Sequence, residues 1–434
     1  MTSVSGKRLH SSIVLVVVAL VGVILLSGCG KHYGVSRIKV LYGLSGTDRE
    51  CFKRMVELFN EQHAGDVVVD AEYHQWDELF SEWAKASKKG APPDVVLYRI
   101  SDVPEYVEKR MVEPLDELAK TEKLNLKDFV AVPLKAAHYK GKLYAIPLDI
   151  HPIGLYYNVK AVKEAGLDPN KPPTNREELL AWAKKLTVDL NGDGKIDRYG
   201  IGCPATNVVT LRAWYGWLYQ NGGRFLDDSN SKCLANSPQA VEALQFAVDL
   251  VYKHKVAPPN EGDSDKDFAA GKVAMTFEGP WYINGFASQE GLEFRTAKFP
   301  IVFGKPAVWA SDNFFSLSKQ EDIAQKRAAM VFVKWMSDNS WMWAQSGQIP
   351  VRKSALRNKK FTKSAIYKYQ KPFADEVGEV VYTPLIPAHS KICTEEAKSP
   401  LVRNIQAAML QRKTPKQALD DCVVGVNKLL APSP

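Results

Sequence analysis

The sequence predicts an α/β protein built as more than one body, and three observations predict it. At 434 residues the chain exceeds what one ordinary hydrophobic core supports. The segment from Arg37 to Tyr98 alternates strand-like and helix-like patterns in the order β-α-β-α-β, which calls for parallel strands with helices on the sheet faces. Further on, His138–Asn158 reads as two apolar strands, Leu143–Pro147 and Ile153–Tyr157, separated by a break that holds Asp149 and His151. Pro147 and Pro152 flank the break; each removes a backbone donor and disfavours helix in the residue before it, so Leu148–His151 is not expected inside a strand or a helix. A chain leaving one sheet and entering another here would put Asp149 and His151 in a cleft between two bodies; a solvated turn is the other reading.

The elements follow in order. Arg37–Leu41 is a strand, then a turn with Thr47 or Asp48 as helix cap, then a helix over Arg49–Gln62 with Phe52, Met55, Val56 and Phe59 on one face. Val67–Ala71 is a strand, Trp76–Ser87 a helix, and Val95–Tyr98 a buried strand. Ligands of such sheets sit beyond the carboxyl ends of the strands, which directs attention to Tyr42–Thr47, Tyr98–Asp102 and Asp149–His151. Beyond Asn158 come helices at Lys160–Ala165 and Arg176–Lys185, the latter with Thr174 as cap candidate and Glu177 three residues on. A strand at Tyr199–Cys203, an aromatic-rich helix at Val208–Gln220, and helices at Pro238–His254 and Asp265–Ala270 follow. Val273–Phe277 is a strand running into Glu278-Gly279-Pro280-Trp281; Phe314–Leu317 is another, followed by a helix over Ile323–Trp335. The last third is mostly helical, with Leu401–Leu410 and Pro415–Leu430.

Hydrophobic residues make up 45% and charged residues 24%, a globular composition. The N-terminus carries Lys7 and Arg8 ahead of the apolar run Ile13–Leu26, too short to span a bilayer and of the right length for a signal-peptide core. The run ends in Leu26-Ser27-Gly28-Cys29, which resembles a bacterial lipobox and implies a cleaved signal peptide over 1–28, acylation (palmitate) of Cys29, and a tether over 29–35. Without Lys7 and Arg8, fifty-five basic residues face forty-nine acidic ones, a net of +6, with no basic block of the kind nucleic acid requires. Cys51, Cys203, Cys233, Cys393 and Cys422 remain, an odd number. Cys203–Cys233 and Cys393–Cys422 are candidate disulfides for an oxidising envelope, but sequence does not give the pairing, and no Cys/His spacing suggests zinc.

Several stretches in fixed order then carry a resemblance. They are Gly141-Lys142-Leu143-Tyr144-Ala145-Ile146-Pro147, Leu155-Tyr156-Tyr157-Asn158, Phe268–Met275 with Gly279-Pro280-Trp281, Gln348-Ile349-Pro350-Val351-Arg352, and Lys413–Leu419. Behind a lipobox, this series resembles the extracellular solute-binding lipoproteins of bacterial ABC importers, in the family of the maltose-, multiple-sugar- and glycerol-3-phosphate-binding proteins. The resemblance implies the two-lobed periplasmic-binding-protein fold, each lobe a mostly parallel sheet flanked by helices, closing on a solute about a hinge. It implies an N-lobe of 36–149 and 311–348 and a C-lobe of 154–309 and 350–434. It implies a monomer that is no enzyme, lies in the cell envelope facing the periplasm or the outside, delivers a sugar or oligosaccharide to permease subunits, and needs no cofactor.

The resemblance also proposes site residues. His151 falls where the family places a ligand-contacting acidic residue, with Asp149 beside the hinge. Trp281 matches a sugar-stacking aromatic, held by Gly279 and Pro280; an indole suits the apolar face of a sugar ring. Trp214 and Arg212 lie on the matching aromatic helix. Tyr42, Ser45 and Asp48 follow the first strand, and Tyr98, Arg99 and Asp102 a later one. Trp309, Asp312 and Asn313 stand at the return crossover, Arg352 follows the last, and His389 lies in a late loop.

Asp189, Asn191, Asp193 and Asp197 have the alternate spacing of a calcium loop with Gly194 at the sharp turn, but lack its closing Glu; a plain Asx turn is the alternative. Two other functions are compatible with these residues. Within the class, a glycerol-phosphate or glycerophosphodiester ligand would use Arg and His. Outside it, an envelope glycan hydrolase would need paired carboxylates, for which Asp149 and Glu278 are the candidates.

Overall fold

The first five elements build a sheet edge from which the hinge is later hung. In the computed structural model, which describes residues 34–206, 208–259, 262–393 and 398–431, they are β1 (Ser36–Tyr42), α1 (Gly46–His63), β2 (Val67–Tyr73), α2 (Trp76–Lys88) and β3 (Val95–Tyr98). Then come β4 (Ile146–Pro147), β5 (Asp149–Pro152), β6 (Gly154–Asn158), α3 (Arg176–Leu186), α4 (Val208–Gln220) and α5 (Pro238–Tyr252). β7 (Met275–Glu278), β8 (Phe294–Ala297), β9 (Val308–Ser311), β10 (Phe314–Leu317), α6 (Ile323–Asp338) and α7 (Ser340–Trp343) follow. The chain closes with β11 (Ile349–Pro350), β12 (Val380–Val381), α8 (His389–Ile392), α9 (Pro400–Met409) and α10 (Pro415–Leu430). The proposed signal peptide and Cys29 lie outside the described residues.

Three sheets organise these elements. The first has the order β2-β1-β3-β10-β4; β2, β1 and β3 are parallel, and β10 runs against both β3 and β4. The second is β8-β6-β7, antiparallel at both pairings. That departs from the mostly parallel second-lobe sheet expected. The reason is directional: β6 runs away from the crossover that feeds it, whereas β7 runs back and delivers Trp281 just past its carboxyl end. The third sheet, β11-β5-β9-β12, is the connection itself; β5 pairs antiparallel with β11 and β9, and β9 parallel with β12.

Asp149–Pro152 is therefore a strand, not the irregular break expected. The two prolines act as separators: Pro147 ends β4 in one sheet and Pro152 ends β5 in another, so neither interrupts a ladder. Tyr199–Cys203, expected as a strand, forms no strand but lies along β7 through the isolated bridge Tyr199–Val273 and the Gly202 N–H, which donates to the Met275 carbonyl at 2.8 Å. Residues 352–362 fall within the stretch expected in the second lobe. They pack on the first instead, where Arg352 pairs with Asp128 and Asp338 and Ser354 bonds Asp128.

Local signals explain most boundaries. α4 and α10 span the expected residues, α10 starting on a Thr414–Gln417 capping box with Pro415 in its first turn. α3 is capped one residue later than expected, by Asn175 accepting from Glu178 N–H. Close approach excludes a side chain at Gly154 on β6. A Cβ there would stand 2.6 Å from Phe373 Cε1 and 2.8 Å from the Ala297 carbonyl oxygen. Gly154→Ala is expected to lower unfolding free energy by about 1–3 kcal/mol through this overpacking, read as a shifted midpoint in urea unfolding with an unchanged slope.

Candidate functional site

Asp149 opens β5 with no exposed surface and gathers the chain around it. Its Oδ1 accepts from Asn313 N–H at 2.6 Å and from His151 Nε2 at 2.9 Å; its Oδ2 accepts from Asn313 Nδ2 at 2.8 Å and Trp343 Nε1 at 2.6 Å. Those donors come from β5, the β9–β10 link and α7. Burial pulls the His151 imidazole towards neutrality, but the charge and hydrogen bond of Asp149, with Asp48 and Asp312 beyond, more than offset it and raise its pKa.

Beside His151 lies an aromatic group from the second lobe. The Trp281 ring meets the imidazole edge-on at 5.9 Å between centroids. The Arg212 guanidinium, from α4, sits 5.1 Å from the Trp281 ring centre and 4.9 Å from that of Trp309, a cation clamped between two indoles. Gly279 matters through its missing side chain: a Cβ would fall 2.0 Å from Trp281 Cζ3, so the indole folds back over this residue. The Gly279 carbonyl accepts from the Tyr156 hydroxyl at 2.8 Å, fixing that backbone.

Asp312 receives Ile100 N–H at 3.2 Å on Oδ1. Burial drives its carboxyl up to about 8, against the opposing effects of Tyr382 and His151. The Tyr382 hydroxyl faces the Asp312 carboxyl, yet neither that oxygen nor Asp312 Oδ2 completes a hydrogen bond, and Trp309 Nε1 is likewise buried without a partner among the described residues. Asp48 is raised to about 6 by burial, with Gln348 Nε2 at 2.8 Å holding it back. At the other end of the cleft, His389 Nε2 meets Thr383 Oγ1 at 2.9 Å, and its Nδ1 lies 4.0 Å from Asp102 Oδ1. Burial, with Arg99 adding to it, lowers His389 to about 4; burial raises Asp102 to about 7. Ser390 Oγ donates to Glu105 Oε2 at 2.7 Å, so α8 touches the first lobe.

Residues 54–368 match the family model for the bacterial extracellular solute-binding protein. The chain belongs to this family. As a solute-binding protein it has the glycerol-3-phosphate-binding periplasmic protein of Pectobacterium atrosepticum as a relative, 21% identical over 402 residues and 87% of each chain. Among solved structures it is similar to the cyclic alpha-maltosyl-1,6-maltose binding protein of Arthrobacter globiformis, with TM-score 0.78, 23% identity and coverage of 92% of this chain and 99% of that one. A tagatose-bound ABC transporter solute-binding protein of Thermotoga lettingae matches at TM-score 0.74 and 24% identity, covering 91% and 100%. Such proteins hold a small solute between two lobes and hand it to an ABC permease.

Within this solute-binding fold, Asp149, His151, Asp312, Asn313, Trp281, Gly279, Arg212 and Trp309 come together, and Arg99 and His389 form a second group near Asp102. Others do not join them. Trp214 is wholly buried in the second-lobe core, its indole N–H donating to the Ala240 carbonyl at 3.1 Å, so it is no cleft residue. Tyr42 is core as well, packed on Phe52 and Tyr73 with ring centroids at 4.6 and 5.8 Å. Arg352 is spent on Asp128 and Asp338 over the Phe129 ring. Ser45 is exposed and heads α1 without capping it; the expected caps are taken by the hinge, Thr47 bonding the Ser346 carbonyl and Asp48 bonding Gln348. Asp149, half of the carboxylate pair weighed for hydrolysis, is committed to holding three segments together.

In the loop 189–197 the carboxylates turn to the chain's own amides: Asp189 accepts from Gly192 and Gly194 at 2.7 Å, Asp193 from Lys195 at 2.8 Å, and Asp197 from Leu190 at 2.6 Å. No group of three or more His, Cys, Asp or Glu side chains is placed to hold a metal ion among the described residues.

Trp343 and Tyr382 were missed. Trp343 sits in a one-turn helix with no pattern of its own. Tyr382 follows β12, and the rule that picked out Trp281 would have found it had Val380–Val381 been read as a strand.

Trp343→Phe keeps an aromatic ring but removes a donor to Asp149, and is expected to cost about 1–3 kcal/mol in chemical unfolding. Asp312 has a raised folded-state pKa, so its contribution to stability is present at low pH and lost as pH rises from the ordinary carboxylate range through about 8. Asp312→Asn is expected to flatten that slope, narrowing the Tm difference between about pH 5 and 8 measured by calorimetry.

Proposed function

We propose that the protein captures a sugar or short oligosaccharide at the hinge, anchored to the membrane by an acylated Cys29, and presents it to an ABC permease. One observation carries the ligand class: the Trp281–Arg212–Trp309 stack standing beside His151. Indole faces suit the C–H faces of a sugar ring, and the guanidinium between them donates to ring hydroxyls while staying fixed. Asp312, Tyr382 and Trp309 Nε1 bring donors and acceptors together in a buried setting, the mixture that a neutral polyol satisfies. A phosphate dianion would meet the carboxylates of Asp149 and Asp48 around a single imidazole, which opposes a second negative charge. Arg212 and Arg99 are the features that favour the glycerol-phosphate reading, which is therefore an arm of the test.

A thermal-shift screen of the chain from residue 30 onward is expected to show a raised Tm with neutral mono- or oligosaccharides and none with glycerol 3-phosphate; the reverse pattern would replace the sugar reading. With the responding sugar, Trp281→Ala is expected to weaken binding about tenfold or more in titration calorimetry, and an unchanged Kd would move the site elsewhere.

A further inference from the structure

Three of the cysteines beyond Cys29 form one buried group in the second lobe. Cys233 is 1% exposed, Cys422 on α10 is fully buried and Cys393, just after α8, is 7% exposed. All five described cysteines are free thiols in the structure, and the Cys233 and Cys422 thiols face each other closely enough that each is the main influence on the other's acidity, Cys422 lowering Cys233 and Cys233 raising Cys422. Two hydrogen bonds hold the same segments in register: Cys233 N–H donates to Asn427 Oδ1 at 2.8 Å, and Asn236 Nδ2 to Asp420 Oδ1 at 2.8 Å. α10 thus lies along the 233–236 loop on both sides of Cys422. Cys393 is near enough to feel charge on both thiols without a hydrogen bond to either. Cys203 faces other partners, Thr210 Oγ1 at 3.7 Å and the Ala247 carbonyl at 3.8 Å. Cys51, in the first lobe, faces the Met342 carbonyl at 3.5 Å.

We infer that Cys233 and Cys422 are joined by a disulfide in the exported protein, stapling α10 to the 233–236 loop, while Cys51, Cys203 and Cys393 stay thiols. The inference rests on the family's extracytoplasmic location, where disulfides persist, and not on the identity of the ligand. The sequence alone offered Cys203–Cys233 and Cys393–Cys422; the contact replaces both pairings with one. Chemically, one thiol loses its proton and attacks the disulfide of a protein thiol–disulfide oxidoreductase. The second thiolate then displaces that protein from the mixed disulfide. Two protons and two electrons leave the pair, and the oxidoreductase departs as its dithiol. Both sulfurs are buried once α10 is docked, so the exchange belongs to folding, before docking. The bond links segments far apart in sequence, where constraint of the unfolded chain is largest.

The test is peptide mapping of the full chain exported to an oxidising envelope, unfolded in N-ethylmaleimide without reductant and digested. The expected result is one cross-linked species joining the Cys233 and Cys422 peptides, with maleimide on Cys51, Cys203 and Cys393. Maleimide on Cys233 and Cys422, or a link through Cys393, overturns the inference. As a second reading, dithiothreitol is expected to lower the Tm of wild type and of Cys393→Ser by about 4 °C or more, and to leave that of a Cys233→Ser/Cys422→Ser variant unmoved. An equal loss in all three overturns it too. No solute is present in either measurement, so failure of the sugar reading leaves both outcomes interpretable.

Discussion

The carboxyl of Asp149 is the point on which the two lobes depend. Four donors from three stretches of chain converge on its two oxygens with no access to water. Each crossing strand of the hinge sheet is only two to four residues long, so its ladder is too short to fix the crossing geometry alone. Asp149 adds the missing constraint. Because a buried acceptor that loses its donors is costly, the arrangement is close to all-or-none, and it fixes where the crossing strands meet.

The same carboxyl sets the chemistry around it. His151 is held by Asp149 on one side and met edge-on by Trp281 on the other, so the indole that arrives from the second lobe lands against a side chain positioned from the hinge. Arg212 then bridges to Trp309, which belongs to a crossing strand. Aromatic, cationic and carboxyl groups therefore come from both lobes and from the connection between them. Movement of either lobe changes their spacing.

What could be read in the sequence were features written within one turn or one strand. The β-α-β-α-β order, the limits of α4 and α10 and the arrival of Trp281 after a strand all have local signatures. What escaped is decided by partners far along the chain. Trp214 and Trp281 are both tryptophans of the second lobe, and only the fold buries one beside Ala240 and leaves the other at the cleft. Thr47 and Asp48 look like helix caps, but residues about three hundred positions later claim their side chains. Arg352 follows the last crossover as a ligand residue might, yet Asp128 and Asp338 neutralise it. Strand direction in the second sheet was illegible for a related reason, since it follows from which crossover feeds β6.

α8 leans on the first lobe through Ser390 and Glu105, with His389 beside Asp102, and none of these contacts involves a solute. The two lobes are therefore joined at this end by contacts of their own, so separating one from the other has to break the Ser390–Glu105 bond as well as bend the hinge.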